Sequence, residues 1–177
     1  MAVVVRDNKL QQLDTLLFFK CHKLTNQFVK DTSIWVSKTG DGHAYLILAS
    51  ILLWLDQSWG KSFFQTALIA FAIELPIYLT LKNLVKRHRP FNKISQFSSH
   101  ISPSDRFSMP SGHTAAGFVF ATVLAYFYPE YAQLAYTWAT LIGFSRIFLG
   151  VHFPGDIIAG AFLGYSSAQL ALSLYFF

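Results

Sequence analysis

Two basic residues, Lys82 and Arg89, lie seven positions apart in the stretch KNLVKRHRP, which ends at Pro90. On a continuous helix, residues seven apart share one face and are separated by two turns. Both side chains could then hold the same anion. The alternative is that two cations snorkel at the end of a membrane-spanning helix. For this pair taken alone, the alternative is the simpler interpretation.

A second stretch, Pro110-Ser111-Gly112-His113, has the composition of a helix start. A helix N-terminus presents unpaired N–H groups and a partial positive charge, and both suit an oxyanion. Ser111 adds a hydroxyl donor, Gly112 allows a ligand to approach the backbone, and His113 is a titratable group in the first turn. A capped helix with an incidental histidine explains this stretch equally well when it is taken alone.

The third stretch, SRIFLGVHFPGD, contains Ser145, Arg146, His152 and Asp156. The offset between His152 and Asp156 allows a carboxylate–imidazole hydrogen bond. Such a bond would fix the tautomer and leave a lone pair on the other ring nitrogen. Arg146 offers a bidentate fork for phosphate. The alternative here is an interfacial salt bridge between Arg146 and Asp156.

Taken together, the three stretches predict one anion site that has a nucleophile and an acid. They supply three cations, a helix N-terminus with a serine, two imidazoles and a carboxylate. The natural anion for such a set is a phosphate group, and the natural substrate at the edge of a bilayer is a lipid headgroup. The prediction requires that all three stretches meet at one membrane face.

The composition indicates that the elements carrying these residues lie in a membrane. Of 177 residues, 53% are hydrophobic, 17% are aromatic and 13% are charged, whereas soluble domains carry about 25% charged residues. This excludes disorder and argues against a water-soluble globule. The net charge of +5 fits basic residues at a membrane edge better than nucleic-acid binding. A single cysteine, Cys21, rules out an internal disulfide and a cysteine-rich metal site.

We expect an all-α integral membrane bundle of five to six spanning helices that forms one domain overall. Residues 1–40 are predicted to form N-terminal interfacial helices, with two amphipathic helices in 10–38 and a break near Thr25–Gln27. An imperfect first span is the alternative. Residues 41–177 form the catalytic transmembrane part. Its predicted spans are Gly42–Leu55, Ser62–Val85, Pro110–Tyr128, Tyr131–Leu149 and Pro154–Phe177.

Further expectations concern the connections and ends of these spans. Pro110 and Pro154 are each expected to begin a helix. The small residues Gly160 and Gly164 are expected to let helices pack closely. The start of the sequence lacks the pattern of a cleaved signal peptide, so the spans themselves are expected to direct insertion. The polar segment from Lys86 to Met109 is long enough to suggest a functional loop.

Alternating spans would collect thirteen of the fourteen basic residues on one membrane face. That face would hold the N-terminal helices and the segments 82–110 and 146–156, whereas Lys61 alone would lie opposite. The thirteen are Arg6, Lys9, Lys20, Lys23, Lys30, Lys38, Lys82, Lys86, Arg87, Arg89, Lys93, Arg106 and Arg146.

The three stretches closely resemble the motifs of the type 2 phosphatidic acid phosphatase (PAP2) superfamily of integral-membrane lipid phosphatases. The family pattern consists of K-x6-R-P, P-S-G-H and S-R-x5-H-x3-D, and this sequence matches it at 82–90, 110–113 and 145–156. The resemblance covers about residues 40–175. The resemblance implies that His152 attacks phosphorus, Asp156 orients His152 and His113 acts as the acid. It also implies phosphate binding by Lys82, Arg89, Ser111, Gly112 and Arg146, with no metal and no cofactor.

The resemblance also limits the candidate activities. The expected partners are a lipid phosphate substrate and membrane lipids, without nucleic acid, and the expected activity is metal-independent hydrolysis through a phosphohistidine. Undecaprenyl diphosphate is the preferred substrate. Phosphatidylglycerophosphate, phosphatidic acid and lipid A phosphates are alternatives, and a lipid phosphotransferase is another.

Three further readings carry less weight. A vanadate-dependent haloperoxidase shares the motifs, but those enzymes are soluble. A transporter or lipid-binding protein would give the polar residues of the three motifs no catalytic function. A metal site formed by His113, His152 and Asp156 fits the pattern poorly. The expected location is the cell inner membrane. Counting basic residues places the active face in the cytoplasm, whereas the family resemblance favours the outer face, which we adopt. The sequence leaves the oligomeric state open.

Overall fold

The computed structural model describes residues 8–175, and every regular element within that range is helical. The α-helices are α1 (Lys9–His22), α2 (Gln27–Thr39), α3 (Gly42–Leu55), α4 (Gly60–Val85), α5 (Pro90–Lys93), α6 (Gly112–Phe127), α7 (Ala132–Phe148) and α8 (Pro154–Tyr175). A 3-10 turn, Pro129–Tyr131, joins α6 to α7. The all-α prediction is confirmed for this range. Arg6 and Phe177, which the sequence assigns to a basic face and to the last span, lie outside it.

The predicted break between two N-terminal helices is confirmed. Asparagine begins each helix: Asn8 accepts a hydrogen bond from Gln11 N at 2.8 Å, and Asn26 accepts one from Val29 N at 2.9 Å. Such caps satisfy N–H groups that a helix start leaves unpaired. Large apolar side chains on both helices, among them Leu10 and Trp35, are exposed, and the location of these helices at the lipid interface stays a prediction.

The helix ends beside the first two motifs match the sequence prediction unequally. Helix α4 ends at Val85, as predicted, because Lys86 adopts a left-handed conformation (φ 50°), which is a common helix terminator. Arg89 is extended because it precedes Pro90, so Lys82 and Arg89 do not share one continuous helix. The prediction that Pro110 begins a helix is wrong: Ser111 is extended, occupies the N-cap position without a side-chain cap hydrogen bond, and α6 starts at Gly112. Pro154 does begin α8 as expected.

Helix α6 lies at the centre of the bundle and packs against α8, α7 and α4. Its contact with α8 depends on glycine. A Cβ atom at Gly164 would lie 2.1 Å from the carbonyl oxygen of Ala115, and one at Gly160 would lie 2.5 Å from the carbonyl oxygen of Ser111. Both distances are far below a van der Waals contact, so the two backbones approach as closely as they do because side chains are absent. The interpretation of this stripe as packing is confirmed.

The outer surface is strongly apolar. Phe162 is 72% exposed and Trp54 is 81% exposed, and side chains of this size are rarely displayed to water in such numbers. By length and composition, two stretches of the described chain suffice to cross a bilayer: Gly60–Lys93, which contains α4, and α8. The helices α3 and α6 are apolar but shorter. The chain therefore has the character of a membrane protein, while the number of spans, five to six, stays a prediction.

We expect Gly164→Ala to separate α6 from α8, because the new methyl group would collide with backbone rather than with a movable side chain. Overpacking of this kind costs about 1–3 kcal/mol. Thermal unfolding of the purified protein in detergent should occur several degrees lower. Gly42→Ala is the matched control, since a Cβ there would meet nothing within 4 Å. Equal unfolding temperatures for the two variants would contradict the packing argument.

Candidate active site

A cavity of about 610 Å³ opens among α2, α4, α6 and the segments that follow α5 and α7. Six of the eight predicted site residues line it. They are Lys82, Arg89, Gly112, His113, Arg146 and His152. Three stretches that are remote in sequence therefore meet at one cavity. Ser111 and Asp156 do not line the cavity, and both are fully buried behind it.

Helix ends position most of the lining side chains. Lys82 lies in the last turn of α4 and Arg146 in the last turn of α7. His113 lies in the first turn of α6. Arg89 immediately precedes α5, and His152 lies in the short connection between α7 and α8. Because these ends all face one cavity, loop segments complete a site that rigid helices support.

The contacts of His152 define its tautomer. Its Nε2 lies 3.3 Å from Nη1 of Arg89, and an arginine nitrogen can only donate. Nε2 must therefore carry the lone pair, so the proton of the neutral ring is on Nδ1. Nδ1 lies 3.5 Å from Oδ2 of Asp156, which also accepts a hydrogen bond from the Phe153 N–H at 2.8 Å.

His152 is held in its neutral form. Burial lowers its pKa well below the usual value, and the positive charges of Arg89, Arg146 and Lys82 lower it further. Burial disfavours a charged ring in a medium of low polarity, and neighbouring cations repel an added proton. A neutral imidazole with its lone pair near the cavity has the properties of a nucleophile.

Asp105 lies between the two cations of the first motif. Its carboxylate accepts hydrogen bonds from Lys82 and Arg89 and from the Tyr78 hydroxyl at 2.7 Å. Burial by itself would raise the pKa of Asp105, but the hydrogen bonds from Lys82 and Tyr78 and the positive charges of Arg89 and Lys82 outweigh it and lower the pKa far below its usual range. A carboxylate thus occupies the position that the sequence assigns to a phosphate.

Arg146 and Asp156 do not form the salt bridge that the sequence left as an alternative. Nη1 of Arg146 donates to the hydroxyl of Ser37 on α2, and its Nε is buried without a hydrogen-bond partner. Asp156 instead accepts from Nη1 of Arg87 at 2.8 Å. The guanidinium of Arg146 therefore has donor capacity that no neighbouring acceptor uses.

His113 contacts an acidic residue at the opposite wall. Its Nε2 lies 3.0 Å from Oδ1 of Asp41, the residue before α3. Because the carboxylate can only accept, Nε2 carries a proton. The neighbouring Gly112 lies close to Tyr78, whose ring atoms would be 3.0 Å from an added Cβ. The Ser111 hydroxyl accepts a hydrogen bond from Thr114 at 2.9 Å.

Several side chains in and around the cavity were not identified from the sequence: Ser37, Asp41, Tyr78, Arg87 and Asp105. Only Asp105 had a recognisable signal, since it is the single acidic residue in the polar segment 86–109. Arg87 lies within the first motif stretch at a position that the family pattern leaves unspecified, and the remaining three lie outside the motifs. Glu74 of α4 also lines the cavity and is buried.

The described residues contain no group of three or more histidine, cysteine, aspartate or glutamate side chains arranged to hold a metal ion. His113 and His152 each have a carboxylate neighbour, Asp41 and Asp156 respectively. Lys82, Arg89 and Arg146 line the same cavity as the two histidines.

Comparison with known proteins identifies relatives of this chain. The family model of the PAP2 superfamily matches residues 59–177. An undecaprenyl-diphosphatase of Sulfolobus acidocaldarius is 29% identical over 133 residues, which cover 74% of this chain and 63% of that protein. A bacitracin transport permease protein, BcrC, of Bacillus licheniformis is 30% identical over 125 residues, covering 70% of this chain and 62% of that protein. The chain thus spans less than two thirds of the length of either relative.

The fold has a relative among solved structures. The crystal structure of Aquifex aeolicus LpxE superimposes with a TM-score of 0.82 over 97% of this chain and 99% of that one, at 24% sequence identity. At this identity the similarity concerns the fold. The family model covers the whole second half of the chain and includes all three motifs, and the chain therefore belongs to the PAP2 superfamily.

Proposed function

We propose that this protein is a membrane-embedded, metal-independent lipid phosphatase that works through a phosphohistidine. One observation carries the proposal: Lys82, Arg89, His113, Arg146 and His152 line a single cavity. Phosphoryl transfer needs positioning and charge stabilisation more than covalent chemistry from the protein. Three fixed cations supply the charge, and a neutral histidine supplies the nucleophile.

The first step is attack by Nε2 of His152 on phosphorus. A P–N bond forms and the bond from the same phosphorus to the leaving oxygen breaks; in a diphosphate this is the bridging oxygen. The leaving oxygen takes a proton from the imidazolium form of His113, which becomes a neutral ring. The ring of His152 becomes positive in this step, and Asp156, whose Oδ2 lies 3.5 Å from Nδ1, stabilises that charge. Lys82, Arg89 and Arg146, together with the Gly112 backbone, hold the phosphate oxygens, whereas Ser111 is buried behind the cavity and is not part of this set.

The second step releases phosphate. A water molecule gives a proton to His113 and attacks phosphorus, the P–N bond breaks, and its electron pair returns to Nε2 of His152. Asp41, 3.0 Å from Nε2 of His113, orients the ring that moves the proton in both steps. Every proton given up by His113 in the first step is thus returned in the second.

Undecaprenyl diphosphate is the substrate that we propose first. The cavity has apolar residues beside its polar end, among them Phe71, Leu75 and Leu149, and these suit the first carbons of a lipid chain. A relative named undecaprenyl-diphosphatase supports this choice. Phosphatidylglycerophosphate, phosphatidic acid and lipid A phosphates are the alternative substrates, and transfer of phosphate to a second lipid is the alternative outcome.

A transport function is the candidate from another class, and a relative named as a transport permease favours it. Transport and hydrolysis differ in what they require of His152. Transport or binding requires only cations around an anion. Hydrolysis also requires a neutral nucleophile and a carboxylate beside it that orients the ring. The geometry around His152 therefore favours hydrolysis.

We expect purified protein to release inorganic phosphate from at least one lipid of a panel in the presence of a chelator, and orthovanadate to inhibit the release. The panel contains undecaprenyl diphosphate, phosphatidylglycerophosphate, phosphatidic acid and lipid A. His152→Ala should abolish release, because no other group can form the P–N bond. His43→Ala is the matched control, since His43 is exposed and does not line the cavity.

Retained phosphate release by His152→Ala would overturn the assignment of the nucleophile. Loss of activity in chelator that returns with a divalent cation would overturn metal independence. Labelled phosphate that appears on a second lipid rather than in solution would identify a phosphotransferase instead of a hydrolase.

Asp105 competes with the substrate in this proposal, because its carboxylate engages Lys82 and Arg89. A phosphate can bind only to molecules in which the contact of Asp105 with Lys82 and Arg89 is broken. The apparent affinity for phosphate is therefore lower than the intrinsic affinity, in proportion to the fraction of molecules in that open state. We expect Asp105→Asn to lower the orthovanadate concentration for half-inhibition by about threefold or more.

Glu130→Gln, an exposed substitution near the opposite end of α6, is the control and should leave that concentration unchanged. A higher concentration for half-inhibition of Asp105→Asn would mean that the carboxylate organises the cations and does not compete for them.

We propose that the cavity faces the extracytoplasmic side of the cell inner membrane, in accordance with the family resemblance. In a Cys21→Ser background, Ser98→Cys, at an exposed position in the segment between α5 and α6, should then react with a membrane-impermeant thiol reagent in intact cells. Ser58→Cys, in the turn between α3 and α4, should be protected. The reverse pattern would place the active face in the cytoplasm.

A further inference from the structure

Helix α1 lies outside the region matched by the family model, residues 59–177, yet it contacts the core of the candidate active site. The contact runs through Asp14, whose side chain is 13% exposed. A carboxylate that is withdrawn from water needs charged or hydrogen-bonding partners to offset the loss of hydration. Asp14 has two such partners. They are the side chain of Arg87, which also binds Asp156, and a backbone N–H at the start of α8, the helix that carries Asp156.

The first partner is Arg87. Its Nη2 lies 2.6 Å from Oδ2 of Asp14, and its Nη1 lies 2.8 Å from Oδ1 of Asp156. One guanidinium thus joins two carboxylates, and its carbon lies 4.4 Å from the ring centre of Phe153. The planar guanidinium of Arg87 is bonded at both of its terminal nitrogens and packs against the ring of Phe153, so it has little freedom to move.

The second partner is the backbone at the start of α8. The N–H of Gly155 donates to Oδ1 of Asp14 at 2.8 Å. A Cβ at position 155 would lie 2.7 Å from the other oxygen of Asp14, so a larger residue there would displace this carboxylate. Asp14 therefore caps the helix that carries Asp156 and, at the same time, holds the arginine that binds Asp156.

Arg87 does not line the candidate cavity, so its charge is not used for phosphate. Its contact fixes one oxygen of Asp156, and the other oxygen faces Nδ1 of His152 at 3.5 Å. Without Arg87, the carboxylate of Asp156 would lose a charged partner while it is fully buried. Rotation of that carboxylate would remove the acceptor that the positive ring of His152 needs during reaction.

We propose that Asp14 and Arg87 are positioning residues for His152, which makes the N-terminal helix α1 a working part of the active site. The chain of contacts is Asp14, Arg87, Asp156 and His152. Because the inference concerns the orientation of His152, it rests on the proposed function of that residue as the nucleophile.

The test is a comparison of steady-state kinetics for Arg87→Ala and Asp14→Asn. We expect kcat to fall by roughly 10- to 100-fold in Arg87→Ala, as for other groups that orient a reacting residue through a second one, and by a smaller factor in Asp14→Asn. KM and the orthovanadate concentration for half-inhibition should stay close to the wild-type values, because neither residue lines the cavity.

Chemical rescue separates positioning from a purely structural role. A second cavity, of about 770 Å³, reaches Arg87 and Asp14 from the side of α1, so a small cation can enter the space that Arg87→Ala leaves. Added guanidinium should restore part of kcat in this variant and should not stimulate the wild type. Arg87→Lys should retain more activity than Arg87→Ala.

Asp31→Asn is the matched control, because Asp31 is an exposed acidic residue of the other N-terminal helix and contacts Gln27 of its own helix. It should leave kcat unchanged. Thermal unfolding in detergent identifies variants that fail to fold. If Arg87→Ala is one of them, the comparison of kcat with KM is made on Asp14→Asn and Arg87→Lys, which change the size of the side chain least.

The inference fails if Arg87→Ala and Asp14→Asn keep the wild-type kcat. It also fails if the amount of orthovanadate bound falls by the same factor as kcat, because both losses would then reflect a smaller fraction of folded protein. The proposed function fails separately, if the wild type releases no phosphate or if His152→Ala is fully active in the same assay. The two failures are therefore distinguishable.

Discussion

Burial of cationic side chains is the constraint on which the arrangement of this protein depends. Lys82, Arg89 and Arg146 are each at most 4% exposed, and an ionised group removed from water is strongly destabilising unless it is paired. The structure meets this requirement with carboxylates and hydroxyls from distant parts of the chain: Asp105 pairs with Lys82 and Arg89, and Ser37 accepts from Arg146. The helix ends that meet at the cavity are held together by these contacts.

The carboxylates near the cavity have different consequences for chemistry. Asp156 is fully buried and bonded to Arg87 and to the backbone, so it remains beside His152 whether or not a ligand is present. Asp105 is partly exposed and comes from a loop, and in the proposed mechanism it leaves the cations when phosphate binds. The same need for charge compensation thus gives His152 a fully buried carboxylate and gives the cations a partly exposed one.

The distribution of polarity is reversed relative to a soluble domain. A group of charged residues, among them Lys82, Arg89 and Arg146, is buried around the cavity, whereas large aromatic and aliphatic side chains such as Trp54 and Phe162 are exposed on the outside. Helices in such an environment gain little from a hydrophobic effect between them, so close packing of small residues becomes important. The contact of Gly160 and Gly164 with the backbone of α6 provides that packing and fixes the start of α6 beside the start of α8.

The sequence by itself determined the helical class, most helix bounds and the three motifs, because apolar periodicity and motif spacing are local properties. Tertiary structure decided which charges meet. Lys82 and Arg89 reach the same carboxylate although α4 ends at Val85 between them, because the chain after Lys86 folds back rather than continuing as a helix. Asp14 and Arg87 are 73 positions apart, and no local pattern connects them. Their pairing arises only when α1 packs beside α8, since a buried charge selects its partner by proximity in space and not by spacing in sequence.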